Sequence, residues 1–262
     1  MLGLSQPTVG RHIEALETEL GAPLFSRPVG GLAPTEAALA LRPHAETMAA
    51  AAAAIVRTAS GDVDAVRGTV RITAADVVGV EVLPSILTGL HETYPEVVLE
   101  VVLSSRQEDL LRREADIAVR MVRPTQGALL AKRVGSVRIG LYAHRRYLEA
   151  HGPPRQIAIG FDRELQVVHA LKDSQISLER DTFAFRSGND LAQLAALRAG
   201  FGIGGCHAPI ARRDPHLVAV LEDAFRYEME IWVAMHEDLK TSRRMRHAFD
   251  WLVDGLEAYV RS

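Results

Sequence analysis

Two rhythms of apolar and polar residues divide this chain, and the change falls near Gly68. Before it the pattern is helical. Val9, Ile13, Leu16 and Leu20 recur at helical spacing and make one apolar face. Ser5 is a good N-cap and Pro7 sits in the first turn, where a missing N–H costs nothing. Gly21 and Pro23 stop the helix, so a helix is predicted over Ser5 to Leu20. A second helix is predicted from Glu36 to about Ser60, capped by Thr35 and kinked by Pro43. It is alanine-rich, with Leu39, Met48, Ile55 and Val56 as its larger apolar residues, which suits close contact with another helix. Ser60-Gly61-Asp62 and Arg67-Gly68 mark a hinge.

After Gly68 strands and helices alternate. Strands are predicted over Val70 to Ala74, Val97 to Leu103, Asp116 to Arg120, Leu129 to Val134 and Val137 to Ala143. Helices fall between them at Leu83 to Tyr94, closed by Pro95, and at Asp109 to Glu114. A second unit follows: a helix over Arg145 to Ala150, strands over Gln156 to Phe161 and Thr182 to Arg186, a helix over Asp190 to Ala199 ended by Gly200, and a buried strand over Gly202 to Cys206. A long strand over Tyr227 to Met235 and a final helix over Ser242 to Tyr259 complete the chain. The order implies an α/β sheet with right-handed crossovers.

Composition narrows the picture. The 262 residues are 48% apolar and 24% charged, an ordinary globular balance able to support a sizeable core. Net charge is −3, and residues 1–60 carry four arginines, no lysine and five glutamates, so charge alone makes no case for nucleic acid. Cys206 is the one cysteine, which excludes an internal disulfide and a cysteine-rich zinc site. The longest apolar run, Met48 to Val56, is far shorter than the ~18–20 residues a membrane span needs. With no basic segment leading an apolar stretch at the N-terminus, a cytoplasmic location is expected.

The first helix resembles the recognition helix of LysR-type transcriptional regulators. The matching residues are Leu4-Ser5-Gln6-Pro7-Thr8-Val9, then Arg11, Ile13, Leu16-Glu17 and Leu20-Gly21. Leu24-Phe25 and Arg27 follow where the family forms its wing, and Pro34-Thr35-Glu36-Ala37 resembles the start of its linker helix. Gly10 departs from the family's usual serine, which removes one polar contact and weakens the helix by about 1 kcal/mol relative to alanine. Further on, Gly68-Thr69-Val70-Arg71-Ile72, Leu83-Pro84, Tyr94-Pro95, Ala115 to Arg120 and Ala199 to Gly204 resemble the family's effector domain. Together the matches reach across the chain.

The resemblance implies a mixed fold: a partial winged helix-turn-helix over 1–34, a linker and dimerisation helix over 35–61, and an α/β two-lobed, periplasmic-binding-protein-like effector domain over 68–262. Lobe I is expected at about 68–142 and 233–262, and lobe II at about 143–232. It implies DNA contact through Ser5, Gln6, Pro7, Thr8, Arg11 and His12, with Arg27 on the backbone near the wing. It also implies a homodimer or homotetramer on double-stranded DNA. The helix that normally precedes the recognition helix is not in this sequence, which would leave Val9, Ile13 and Leu16 without their usual cover. A misassigned start, a trimmed chain and a truncated gene all account for this.

Ligands of open α/β sheets bind beyond the C-terminal ends of strands and beside helix N-termini. That rule selects Ala75-Asp76, Ser104-Ser105, Arg120-Met121, Ser187-Gly188-Asn189 and Cys206-His207. Ala75, Asp76, Ser104, Ser105, Arg120, Asn189, Cys206 and His207 are therefore the expected effector contacts. Arg120 can hold a carboxylate bidentately, which suggests a polar or carboxylate-bearing effector, or else it is a structural ion-pair residue. Asp76 either attracts an amine or caps the helix that follows it. Cys206-His207 lacks the partners that a metal site or a nucleophile needs, and Arg243, Arg244, Arg246 and His247 read as a solvated basic face. No cofactor, metal or catalytic set is expected. The leading reading is a ligand-responsive regulator. A small-molecule binding module with impaired DNA binding is the alternative, and an enzyme is the third hypothesis.

Overall fold

The computed structural model describes residues 5–26, 31–59, 66–104, 115–125, 129–152, 158–162, 183–223, 225 and 227–262. The expected helix at 109–114, the hinge at 60–62, Ser105 and Arg27 lie outside the described residues.

Helix α1 (Gln6–Leu20) ends as its sequence predicts, with Gly21 at φ 64°, its N–H donating to the Thr18 carbonyl and the Ala22 N–H to the Glu17 carbonyl. Ser5 occupies the N-cap position but makes no capping bond; its hydroxyl pairs with Thr8 Oγ1 at 2.9 Å. A short hairpin follows, strands β1 (Phe25–Ser26) and β2 (Ala33–Pro34), paired antiparallel. Glu17 ties it to α1, accepting from the backbone N–H groups of Leu24 at 2.6 Å and Phe25 at 2.9 Å. Thr35 caps α2 (Glu36–Ala59), accepting from the Ala38 N–H at 3.2 Å, and the helix continues through Pro43.

The remainder is built on one seven-stranded sheet. Strands β4 (Val97–Leu103), β3 (Gly68–Ala74) and β5 (Ile117–Arg120) run parallel, and β11 (Tyr227–His236) then pairs antiparallel with β5. Strand β6 (Leu129–His144) lies antiparallel to β11 and pairs in turn with β9 (Ile203–His207) and β10 (Leu217–Val220). The sequence suggests two strands over Leu129 to Ala143. They are one strand, because the register shift opposite Ile231 and Trp232 absorbs Val134 as an extra residue without breaking the ladder. Strands β7 (Ile159–Gly160) and β8 (Phe185–Arg186) form a separate parallel pair, shorter than expected.

Among the described residues the α-helices of this part are α3 (Asp76–Glu81), α4 (Leu83–Thr93), α5 (Arg145–His151), α6 (Asp190–Arg198), α7 (Ala208–Arg212) and α8 (Arg243–Arg261). Of these α3 and α7 are too short for a periodic signal, and the four-residue β10 was likewise not legible. Helix α8 buries Met245, Ala248, Phe249, Leu252, Val253, Leu256 and Tyr259 along one face, and its Trp251 donates to the Ile86 carbonyl of α4 at 2.9 Å. Its basic residues do not form a uniform solvated face. Arg244 is buried and donates to the Arg67 carbonyl at 2.8 Å, and His247 Nδ1 lies 3.1 Å from the Tyr94 hydroxyl. Gly68 is required at this contact: its φ is 98°, and a Cβ there would stand 2.4 Å from Arg244 Nη1.

Candidate functional site

Alternation along β6 builds one cavity wall. Ile139 and Leu141 face the same side of the sheet, and their cross-strand partners His207 and Gly205 share that face. The same period-two spacing brings Phe225, Tyr227 and Met229 to it from the start of β11. Ile159, Phe161 and Phe183 come from around the β7–β8 pair, while α6 contributes Asp190, Gln193 and Leu194. Val77 of α3 completes the lining. The cavity offers about 140 Å³ of space and is open to solvent on one side.

Helices α3 and α6 meet at this cavity and are bridged at both ends. At their N-termini Asn189 Nδ2 donates to Asp76 Oδ2 at 2.8 Å. Asn189 also caps α6, accepting from the Ala192 N–H at 3.0 Å, as the sequence around Ser187-Gly188-Asn189 suggests. Asp76 makes no capping bond to α3, so of its two sequence readings the capping one is not realised. At the C-termini Arg198 grips Glu81 through two bonds, of 2.7 and 2.8 Å. Hydrogen bonding to Arg198 holds the Glu81 carboxyl below the usual carboxylate range. Asp214 lies 3.5 Å from Arg198 Nε and extends the pair.

Burial governs the titrating groups around the cavity. The imidazole of His207 is pushed down to about 4 by burial, with Nδ1 2.8 Å from the Tyr259 hydroxyl, so the ring is neutral at pH 7. Burial pushes the Cys206 thiol up to about 12, which makes it a poor nucleophile. Asp190 retains exposed surface, yet desolvation, and after it the like charge of Asp76, raises its carboxyl above the usual value. No group of His, Cys, Asp and Glu suited to a metal ion occurs among the described residues.

The expected effector contacts thus separate into groups. Cys206 and His207 line the cavity, and Asp76 and Asn189 meet at its edge beside Val77 and Asp190. Ala75, Ser104 and Arg120 are not in its lining. Arg120 is buried in the sheet and donates to the Val119 carbonyl at 3.1 Å and to Thr73 Oγ1 at 3.3 Å. Sequence reading missed Asp190, Glu81, Arg198 and the aromatic residues. The spacing of Phe225, Tyr227 and Met229 was a readable signal; the Glu81–Arg198 pair, 117 residues apart in sequence, had none.

In the N-terminal unit the first two turns of α1 are open. Ser5, Gln6, Pro7, Arg11 and His12 are exposed and Thr8 is half-buried. The apolar face of α1 is only partly covered among the described residues, with Leu16 50% and Leu20 46% exposed.

Comparison with known proteins agrees with this division. Residues 1–39 match the model of the bacterial regulatory helix-turn-helix protein, lysR family, and residues 64–257 match the LysR substrate binding domain. The Mau operon transcriptional activator of Paracoccus denitrificans is 27% identical over 262 aligned residues, covering 97% of this chain and 88% of that protein. An HTH-type transcriptional regulator of Xanthomonas campestris is 33% identical over 157 residues, 58% of this chain and only 44% of that protein. Among solved structures, CrgA of Neisseria meningitidis superposes with a TM-score of 0.64 at 20% identity, covering 97% of this chain and 91% of that one. AphB of Vibrio cholerae gives 0.65 at 22% identity with the same coverage.

Proposed function

The chain belongs to the LysR family of bacterial transcriptional regulators, and from that premise we propose that its N-terminal helix reads an operator while the α3–α6 cavity holds a small effector. The observation that carries the reading is the open N-terminal half of α1, whose first two turns present Gln6, Arg11 and His12 to solvent beside a hairpin held by Glu17. A helix placed this way enters the major groove. Gln6 and Thr8 reach base edges, Arg11 a base or phosphate, Ser5, Pro7 and His12 border the groove, and Arg27 contacts the DNA backbone.

The effector reading assigns lobe I to 68–142 and 233–262 and lobe II to 143–232, so both boundaries fall inside the long strands β6 and β11. Effector bound under α3 and α6 favours one arrangement of the lobes over another, a population shift that requires differential affinity. Cys206, His207, Asp76 and Asn189 contribute to this site; Ala75, Ser104 and Arg120 lie at strand ends outside the cavity lining, and Ser105 is kept as an effector contact on the sequence reading alone. Helix α2 pairs with its copy in a homodimer, which gives its exposed Met48 and Ile55 a partner. The protein acts in the cytoplasm; among the described residues no helix is long and apolar enough to cross a membrane. The alternative, a binding module with impaired DNA binding, is not favoured, since the helix-turn-helix model matches alongside the effector domain, and the relatives compared are regulators rather than enzymes.

Selection from a random duplex library by the full chain tests the reading. A recurrent sequence is expected, with Gln6→Ala losing about 1–3 kcal/mol of preference at one position and Arg11→Ala weakening binding. Failure to enrich any sequence overturns it.

A further inference from the structure

The lining of the α3–α6 cavity combines aromatic rings with an acid. Phe161, Phe183, Phe225 and Tyr227 supply the rings, and among the described lining residues Asp190 supplies the charge. His207 adds a neutral imidazole and Cys206 a thiol. No hydrogen bond or ion pair engages the Asp190 carboxylate among the described residues, and the nearby charge is a second acid, Asp76. The amino end of α6 favours a carboxylate at its first residue. That accounts for an acid on the helix, but not for its position in the lining of an aromatic cavity. Asp190 is exposed at the cavity lining with no cation beside it among the described residues, so its carboxylate is open to a ligand that carries the cation. Aromatic faces attract cations as well.

We propose that the cavity binds a small amine in its protonated form, the ammonium on Asp190 and the apolar body among Phe161, Phe183, Phe225 and Tyr227. The proposal rests on the reading of this cavity as the effector site and adds the class of effector. One ring fits: about 140 Å³ compares with the ~150 Å³ of an engineered apolar cavity that holds one benzene ring. A carboxylate-bearing effector fits these described residues poorly, because Arg120 lies elsewhere and Asp190 and Asp76 repel an anion.

Calorimetric titration of the full chain at neutral pH with benzylamine, benzyl alcohol and benzoate separates cation, neutral and anion on nearly the same frame. Benzylamine is expected to bind at least tenfold more tightly than benzyl alcohol, with benzoate weakest. Asp190→Asn should bring benzylamine down to about the level of benzyl alcohol, a loss at least several-fold larger than any change in benzyl alcohol itself. Gly205→Val should weaken both, since a Cβ at Gly205 projects toward Ile139 with its nearest neighbour at 3.8 Å and the added methyl groups fill the cavity. Circular dichroism checks that both variants fold. Equal binding of benzoate and benzylamine, or an Asp190→Asn variant that binds benzylamine normally, overturns the amine class and leaves the site standing. An unchanged benzylamine affinity in Gly205→Val overturns the site itself, and no binding of any probe overturns the proposal.

Discussion

Helices α2 and α8 are both long, yet they are held in opposite ways. Helix α8 places a row of large side chains against the sheet and α4, and Leu252 and Leu256 are wholly buried. Helix α2 leaves Met48 74% and Ile55 66% exposed, and what holds its described part is local: the Thr35 cap, alanine propensity and the Arg42–Glu46 pair. The same contrast separates the two units. In the N-terminal unit Leu24 is the buried apolar residue among those described, whereas the α/β unit has a continuous core. Helicity is written locally in both; burial is written by distant residues in one.

Truncating a side chain in each helix is the strongest way to break that comparison. Leu252→Ala should destabilise the α/β unit by about 2–5 kcal/mol, because it removes buried surface and leaves a cavity. Ile55→Ala should alter the same unfolding transition by no more than about 0.5 kcal/mol. Urea unfolding followed by tryptophan fluorescence reads the α/β unit alone, since Trp232 and Trp251 both lie in it. An Ile55→Ala loss as large as that of Leu252→Ala would show that α2 is as integral to the core as α8.

Acid should separate the units next. His207 titrates near 6.5 when unfolded and at about 4 in the folded chain, so between these values the unfolded state binds the extra proton. Its contribution is therefore fully present above pH 6.5 and is lost as pH falls toward 4, by about 2–3 kcal/mol. His207→Asn should flatten the stability–pH curve of the tryptophan-reported transition over that window. A slope unchanged in the variant would assign the acid sensitivity to other groups.

Sequence reading served the two units unequally, for the same physical reason. The bounds of α1, with Gly21 and the Thr35 cap, are set by neighbours within a few residues and were legible. So were β3, β4 and α8, whose period is long enough to count. The continuity of β6 depends on a bulge that only its pairing with β11 defines. Around the candidate cavity, the helix start at Asn189 and the strand end at His207 were legible, but the nearness of Asp190 to Asp76, 114 positions away in sequence, is encoded by no local pattern.

A smaller effect tests whether the N-terminal unit depends on local bonds. Glu17→Ala removes the acceptor of both the Leu24 and the Phe25 N–H, and should cost about 1 kcal/mol locally. Amide exchange at Leu24 and Phe25 should speed up several-fold while the tryptophan-reported transition stays in place. If that transition moves as well, the two units unfold together and the contrast between them is one of burial alone.

The smallest effect sharpens the comparison through two ion pairs of the same chemistry. Arg42–Glu46 is an exposed neighbour pair on α2, while Arg198–Glu81 joins α6 to α3 with the glutamate side chain only 20% exposed. Arg198 is 37% exposed, so solvent screens the second pair as well, and a double-mutant cycle with Glu81→Gln and Arg198→Met should give a coupling of about 0.5–1 kcal/mol. Because the folded Glu81 carboxyl titrates below its unfolded value, the coupling is complete above about pH 4.5 and fades as pH falls through the folded value. The corresponding cycle at Arg42 and Glu46 should give less, and salt should erase it first. Equal couplings at low and high salt would mean that α3 and α6 are joined by the cavity lining rather than by the charges at their ends, and any ligand-driven movement would then have to be sought in Val77 and Leu194.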